Sequence, residues 1–155
     1  MERWKRMITH ALLAFVLISV GFALGKHAAK SKSNDTVSPN GSGEQVAVYY
    51  LHPTFRCDTC NTIEKMTRDL LKNYYSEELA KGYMVWFLED FQENEVLAEK
   101  FEVAANCVVV AILKNGQVTE YVRLDQVWTK IEDPVEFNRY IQEPIQGFLS
   151  KLEGA

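Results

Sequence analysis

Short apolar runs and amphipathic stretches alternate along the chain after residue 44. Three runs rich in branched and aromatic residues, at positions 46–51, 83–88 and 107–113, predict strands, of which the first two are expected to be buried on both faces. A fourth strand at 118–124 follows the third across Lys114-Asn115-Gly116, because Asn-Gly supplies the positive φ of a tight hairpin turn. The last two strands are therefore predicted to pair as an antiparallel hairpin.

Helical spacing of apolar residues predicts three helices between and after these strands. The first begins at Cys57, the second is a short acidic helix over residues 92–101, and the third begins at Asp133-Pro134. Aspartate as N-cap, proline at the first helical position and glutamate at the third predict a capping box there, and Pro144 is expected to kink or split the helix. The residues predicted to face inward are Ile63, Met66, Leu70 and Tyr74, then Val96, Leu97 and Phe101, and finally Phe137, Ile141, Ile145, Phe148 and Leu152.

The order of these elements is strand, helix, strand, helix, strand, strand, helix. Two strands joined by a helical crossover and followed by a hairpin indicate an α/β domain. We expect a mixed four-stranded sheet with helices on both of its faces.

The N-terminal segment is typical of a membrane address. Three basic residues within the first six positions precede an uncharged apolar run at 11–24. Counted back to Met7, the run is near the lower length limit for crossing a bilayer, while Ala23-Leu24-Gly25 also fits a small-x-small cleavage site. We favour an uncleaved anchor, with residues 7–25 in the cytoplasmic (inner) membrane and the domain on the periplasmic side. A cleaved segment would instead give a secreted protein.

This segmentation divides the chain into an anchor or signal sequence at 1–25, a linker at 26–44 and a domain at 45–155. The linker is rich in Ser, Gly and Asn and is predicted to be a flexible tether. Of 155 residues, 47% are hydrophobic and 12% aromatic, which is enough to build one core. Residues 1–43 carry a net charge of +4 and the remainder −8, which argues against a nucleic-acid partner.

The candidate chemistry lies in Cys57-Asp58-Thr59-Cys60, at the junction of the first strand and the first helix. Unpaired N–H groups and the positive end of the helix dipole stabilise a thiolate on Cys57, and Arg56 is expected to add a favourable charge, while Asp58 opposes it. Cys57 is then the attacking sulfur and Cys60 the resolving one. Two unreactive cysteines, or half of a metal site, are the alternatives.

The domain resembles the thioredoxin-fold superfamily over residues 45 to about 152. The order of elements, the Cys-x-x-Cys position and the hairpin LKNGQV at 113–118 carry the resemblance. More closely, the runs YYLHPTFRCDTC at 49–60 and LDQVW at 124–128, with the N-terminal anchor, resemble the thioredoxin-like subunit family of nitrophenyl-compound nitroreductases. The resemblance implies the fold, the dithiol and an anchored topology, and it leaves the substrate open.

One departure from thioredoxins is the residue before the third strand. Thioredoxins resemble one another in placing a cis-proline against the dithiol there, whereas this chain has Cys107 or Val108 in that place. If Cys107 faces Cys57 and Cys60, a third thiol could bind a soft metal or form an alternative disulfide. The alternative is a small buried hydrophobic residue at the start of a strand.

A second departure is a missing carboxylate on the first strand, where thioredoxins resemble one another in a buried acid that assists the resolving cysteine. His52, the only histidine of the domain, could supply a base. It could equally be the fourth ligand of a copper or zinc site with Cys57, Cys60 and Cys107, or simply a solvated loop residue. Tyr49 and Tyr50 are expected to be packing residues.

These observations support one interpretation and leave two alternatives. We expect a membrane-tethered, extracytoplasmic thiol–disulfide oxidoreductase that uses a redox-active disulfide and requires no other cofactor. Its partner would be a protein dithiol or disulfide, or a membrane electron donor. The alternatives are a metal-binding thioredoxin-fold module and an electron-relay subunit of a membrane reductase complex.

Overall fold

Four strands form one mixed sheet in a computed structural model of the chain, which describes Arg3 and residues 43–153. The strands are β1 (Glu44–His52), β2 (Met84–Asp90), β3 (Cys107–Lys114) and β4 (Gln117–Leu124). Their order across the sheet is β2-β1-β3-β4. β1 and β2 run parallel, whereas β3 is antiparallel to both of its neighbours. The predicted α/β class and the mixed four-stranded sheet are therefore confirmed.

Within residues 43–153, four α-helices and one short 3-10 helix accompany the sheet. The helices are α1 (Asp58–Tyr74), α2 (Ser76–Lys81), α3 (Glu95–Lys100) and α4 (Pro134–Glu153), and the 3-10 helix spans Val127–Thr129. The sequence pattern predicts α1, α3 and α4 but not α2, a helix of six residues that continues from α1 after one intervening residue. Apart from Arg3, the predicted anchor at 1–25 lies outside the described residues, as do residues 26–42 of the linker. Across residues 43–153 no helix has the length and apolar character needed to cross a membrane.

β1 is a central strand that contributes to two separate cores. Its alternating side chains place Val46, Val48 and Tyr50 in a cluster with residues of α1 and α4. Ala47, Tyr49 and Leu51 point to the other face and pack with Phe101, which follows α3. Because strand residues alternate with a period of two, adjacent residues of β1 serve opposite faces of the sheet.

The faces of α1 and α4 follow the sequence prediction at most positions. The buried residues that they bring to the first core are Ile63, Leu70 and Leu71 from α1 and Phe137, Ile141, Ile145 and Phe148 from α4, with Met66 and Leu152 partly buried. The prediction for Tyr74 is wrong, since this side chain is exposed and Tyr75 is buried in its place. α1 ends at Tyr74, and the non-helical backbone of Tyr75 directs the Tyr75 ring toward the core.

Two predictions of burial near the sheet edge are also wrong. β2 is an edge strand, so residues 83–88 are not buried on both faces, and Tyr83 and Leu88 are exposed. In α3 the side chain of Val96 is 79% exposed. α3 has only six residues, and its inward side is formed by Leu97 together with Phe101 just beyond its end.

The predicted turn and helix start are confirmed in their main features. Asn115 and Gly116 have φ values of 53° and 75°, as a tight hairpin turn requires. The Asp133 carboxylate accepts hydrogen bonds from the second and third N–H groups of α4. The Glu136 side chain pairs with Lys130 and Arg139 instead of closing a capping box. α4 continues through Pro144 as one helix and is not split there.

Candidate functional site

The two cysteines of the Cys-x-x-Cys motif lie at the first turn of α1. Cys57 has an extended backbone conformation and is the N-cap of the helix, because its Sγ accepts a hydrogen bond from the backbone N–H of Cys60 at 3.4 Å. The Cys57 side chain is exposed, whereas that of Cys60 is buried. The start of α1 thus places one sulfur at the surface and the other beneath it.

The sulfur atoms of Cys57 and Cys60 are 2.8 Å apart, and both residues are free thiols. A disulfide bond has an S–S length of about 2.05 Å. The pair can therefore close into a disulfide with a movement of less than about 1 Å, without rearrangement of the helix.

The two thiols differ in acidity. The pKa of Cys57 is lowered, first by the hydrogen bond with the Cys60 side chain and then by hydrogen bonding with the Cys60 backbone. The pKa of Cys60 is raised, first by burial and then by the same hydrogen bond with Cys57. Cys57 is consequently the more acidic thiol of the pair and Cys60 the less acidic one, as expected for an attacking and a resolving cysteine.

Arg56 has a different partner from the one predicted. Its guanidinium forms an ion pair with the carboxylate of Glu64, which also binds Arg68. The groups that lower the pKa of Cys57 most strongly are the Cys60 thiol and backbone N–H groups at the helix start. The predicted role of Arg56 in stabilising the thiolate thus has no direct contact in its support.

Cys107 lies on the opposite face of the sheet from the dithiol helix. It is paired with Leu51 across β1 and β3 and belongs to the core that contains Tyr49 and Phe101. Val108, the next residue, faces the core to which α1 contributes. The hypothesis that Cys107 faces the dithiol is therefore wrong, and Cys107 is the small buried hydrophobic residue of the alternative. Burial raises its pKa to about 12.

His52 and the three cysteines do not form the metal site considered above. His52 ends β1 opposite Asp90, and its Nδ1 lies 2.9 Å from the carbonyl oxygen of Pro53. Because Cys107 is on the other face of the sheet, it does not lie with Cys57 and Cys60 as a ligand of the same site. Within the described part of the chain, no group of three or more His, Cys, Asp or Glu side chains is arranged to hold a metal ion.

Tyr50 is a residue of the site that the sequence analysis assigned to packing. Its ring is fully buried, and its hydroxyl donates a hydrogen bond of 2.9 Å to the carbonyl oxygen of Cys60. The alternation of β1 could have indicated this position, since Tyr50 shares a face with Val46 and Val48 and therefore lies beneath α1. Nothing in the sequence itself distinguishes its hydroxyl from that of Tyr49.

Comparisons with known proteins match the chain to distant solved structures. No protein-family model matches the chain, and no curated protein matches it. Mitochondrial thioredoxin 3 from Saccharomyces cerevisiae is 18% identical, with a TM-score of 0.42, over 64% of this chain and 78% of that protein. The oxidised thioredoxin from Plasmodium falciparum is 14% identical, with a TM-score of 0.42, over 67% and 81%. Thioredoxin from Trypanosoma brucei brucei is 12% identical, also with a TM-score of 0.42, over 68% and 79%.

The domain has a thioredoxin-like fold. The sheet order, the directions of its strands and the dithiol at the start of the helix after β1 are the features that the sequence resemblance implied. The chain carries at that place a Cys-x-x-Cys pair whose sulfurs are close enough to exchange a proton and to form a bond.

Proposed function

We propose that this protein is a membrane-tethered, extracytoplasmic thiol–disulfide oxidoreductase that uses Cys57 and Cys60 as its dithiol. The observation that carries the proposal is the 2.8 Å contact between two sulfurs of unequal acidity at a helix N-terminus. A helix start with an exposed thiolate and a buried partner thiol is the arrangement that thiol–disulfide exchange requires.

The reaction proceeds in two displacements. The Cys57 thiolate attacks one sulfur of a partner disulfide, so that a mixed disulfide forms and one partner thiolate leaves. Cys60 then loses its proton to solvent, and its thiolate attacks the Cys57 sulfur. The Cys57–Cys60 disulfide forms, the second partner thiolate leaves, and two electrons have passed from this protein to the partner. The reverse sequence oxidises a partner dithiol.

The reversible disulfide is the redox group of this chemistry, and the steps above call for no other cofactor. The partner in the proposal is a protein disulfide or dithiol, and a membrane electron donor renews the dithiol if the protein acts as a reductant. The tether at residues 7–25 and the periplasmic side rest on the apolar run and its basic flank. The net charge of −8 on residues 44–155 favours a partner other than nucleic acid.

A second candidate is an electron-relay subunit of a membrane reductase complex of the nitroreductase type. The sequence runs at 49–60 and 124–128 and the predicted anchor favour it. The same dithiol would then carry electrons to a companion subunit. Copurification of a membrane partner with the full chain, together with slow turnover of free disulfides, supports this candidate over an independent oxidoreductase.

The test of the proposed function is a redox titration of the full chain in detergent. The protein is equilibrated in thiol–disulfide buffers of known potential, quenched by alkylation and weighed intact, and the labelled residues are located by peptide mapping. We expect one reversible two-electron step confined to Cys57 and Cys60, with Cys107 serving as an internal thiol that never pairs. A midpoint near about −270 mV marks a reductant and one near about −120 mV an oxidant. Failure of the two thiols to pair at any potential overturns the proposal.

The membrane tether has its own test. The full chain and a chain beginning at Gly43 are expressed with the same tag, which contains no signal sequence. Each is then analysed by membrane fractionation and by its intact mass. We expect the full chain to remain with the membrane at its unprocessed mass and the shorter chain to be released. A mass that corresponds to loss of residues 1–25 would show that this segment is a cleaved signal sequence and not an anchor.

A further inference from the structure

Tyr50 connects the central strand of the sheet to the buried cysteine. Its ring is fully buried in the core beneath α1, and its hydroxyl donates to the Cys60 carbonyl oxygen at 2.9 Å. Cys60 is itself only 4% exposed. A phenol hydroxyl therefore lies at the base of the first turn of α1, beside the residue that carries the buried thiol.

The surroundings of this hydroxyl keep it protonated. Burial raises the pKa of Tyr50 well above its usual value, and the neighbouring Cys60 raises it further, while Asn106 and the charge of Arg56 lower it. Tyr50 thus keeps its proton to a higher pH than an ordinary tyrosine and is a hydrogen-bond donor at neutral pH.

The resolving step is where such a donor matters. Cys60 must become a thiolate to attack the mixed disulfide, yet burial opposes its ionisation and raises its pKa. A hydrogen bond from a neutral donor to a buried anion is worth more than one between neutral groups. In the reduced pair the single proton of the Tyr50 hydroxyl is donated to the Cys60 carbonyl oxygen, and the same hydroxyl also lowers the pKa of the Cys60 thiol.

We propose that Tyr50 is the positioning residue of the resolving step: its buried hydroxyl holds the first turn of α1 through the Cys60 carbonyl while Cys60 is a thiol, and it turns its single proton to the Cys60 sulfur when the thiolate forms. The inference rests on the proposed dithiol function and deepens it. Tyr50 keeps its own proton throughout. The proton of Cys60 passes to solvent, and the electron pair of its thiolate forms the bond to the Cys57 sulfur.

The chain offers a matched control in the adjacent residue. Tyr49 is also buried in β1, but it belongs to the other core, where its ring stacks on Phe87 at a centroid distance of 4.7 Å. Tyr50→Phe and Tyr49→Phe each remove one hydroxyl from the same strand. Only the first removes it from the face that lies under Cys60.

The experiment is a stopped-flow reaction of the reduced full chain with excess dithiobis-nitrobenzoate, whose leaving thiolate is yellow. Attack by Cys57 releases the first thiolate, and attack by Cys60 on the resulting mixed disulfide releases the second. We expect Tyr50→Phe to leave the first phase within about twofold of the wild type and to slow the second about tenfold or more, the loss expected for one hydrogen bond to a charged acceptor. The pH midpoint of the second phase should move upward in Tyr50→Phe, whereas Tyr49→Phe should match the wild type in both phases.

The outcomes separate the two proposals. Absence of a second phase in the wild-type chain counts against the dithiol function itself. A normal second phase with an unchanged rate and pH midpoint in Tyr50→Phe overturns the role of Tyr50, as does equal slowing by Tyr49→Phe. If Tyr50→Phe unfolds, difluorotyrosine at position 50 keeps the shape of the ring. As a more acidic donor it should speed the second phase about twofold, and an unchanged rate then overturns the inference.

Discussion

Arg56, the residue directly before the reactive cysteine, forms its ion pair with the carboxylate of Glu64. Arg68 binds the same carboxylate from one turn farther along α1. The side chain of Glu64 is 15% exposed, so this pairing is partly shielded from solvent. Two guanidinium groups sharing one carboxylate leave a net positive charge on this side of the helix, although neither is a main cause of the lowered pKa of Cys57.

This pairing predicts how charge substitutions affect the attacking thiol. We expect Arg56→Met to change the pKa of Cys57 by no more than about a few tenths of a unit, because the guanidinium is paired with Glu64 and is not a main cause of the lowered pKa. Glu64→Gln removes the compensating charge and should lower the pKa of Cys57 by a similar amount. Both shifts can be read from the pH dependence of alkylation at Cys57, with Glu77→Gln on α2 as the control for loss of a helix carboxylate. A rise of a full unit in Arg56→Met would show that Arg56 stabilises the thiolate directly.

Removal of the resolving thiol should trap the first intermediate. In Cys60→Ser the Cys57 thiolate still attacks a disulfide, but no second sulfur is available to release the adduct. We therefore expect a stable mixed disulfide, seen as one added thiol group in the intact mass, and release of a single nitrothiobenzoate per chain. Cys57→Ser is the matched control and should form no adduct at comparable speed, since the remaining thiols are buried. A Cys60→Ser chain that clears its adduct as fast as the wild type would mean that another group resolves it.

The position of Cys107 on the far face of the sheet predicts that it takes no part in the redox step. Cys107→Ala should shift the midpoint potential of the Cys57–Cys60 pair by less than about 10 mV, well below the roughly 30 mV that corresponds to 1.4 kcal/mol for a two-electron couple. The redox titration and peptide mapping described above measure this directly. Disulfides between Cys107 and either other cysteine in the wild-type chain would contradict the assignment.

The buried thiol of Cys107 should also shape stability at alkaline pH. Its pKa rises from an ordinary 9.0 to about 12 in the folded chain. The unfolded chain therefore loses this proton first, so the stabilisation is complete below pH 9.0 and is lost as the pH rises toward 12. In this window the free energy of unfolding should fall by up to about 1.4 kcal/mol more per pH unit in the wild type than in Cys107→Ala.

Urea unfolding under reducing conditions, at about pH 8 and about pH 10, tests this dependence. Val109→Ala is the control, because Val109 is buried in the same core and its truncation leaves a cavity without removing a titrating group. Tyr49 and Tyr50 are present in all three chains, and Val109→Ala controls for a cavity in the core that contains Tyr49. Equal pH dependence in the wild type and Cys107→Ala would show that the thiol is not protonated in the folded state as described.

Local chemistry explains which parts of the fold could be predicted. The hairpin at Asn115-Gly116 and the start of α4 at Asp133-Pro134 depend on residues adjacent in sequence, so their geometry follows from those residues alone. The junction of β1 and α1 is similar, because a buried run gives way to helical spacing at the first cysteine. These local signals place both sulfurs of the motif correctly.

The errors come from features that depend on register or on distant partners. The face on which Cys107 lies changes with a one-residue shift in the start of β3, and the sequence leaves that shift open. The partner of Arg56 is a carboxylate eight positions later, which a long side chain reaches only once α1 has formed. Tyr74 and Tyr75 exchange roles because α1 ends between them, and helix ends are set by tertiary packing as well as by local preference.

The sulfur of Cys57 serves two purposes at once, since the nucleophile is also the N-cap of α1. A thiolate is a stronger acceptor for the N–H groups of a helix start than a sulfur engaged in a disulfide. Oxidation of the pair therefore weakens the cap, and reduction restores it. In a thermodynamic cycle, the amount by which the helix is more stable in the reduced than in the oxidised state equals the contribution of the helix to the free energy of reducing the disulfide. Any substitution in the first turn that changes the melting temperature of one redox state more than the other must retune the potential by the matching amount.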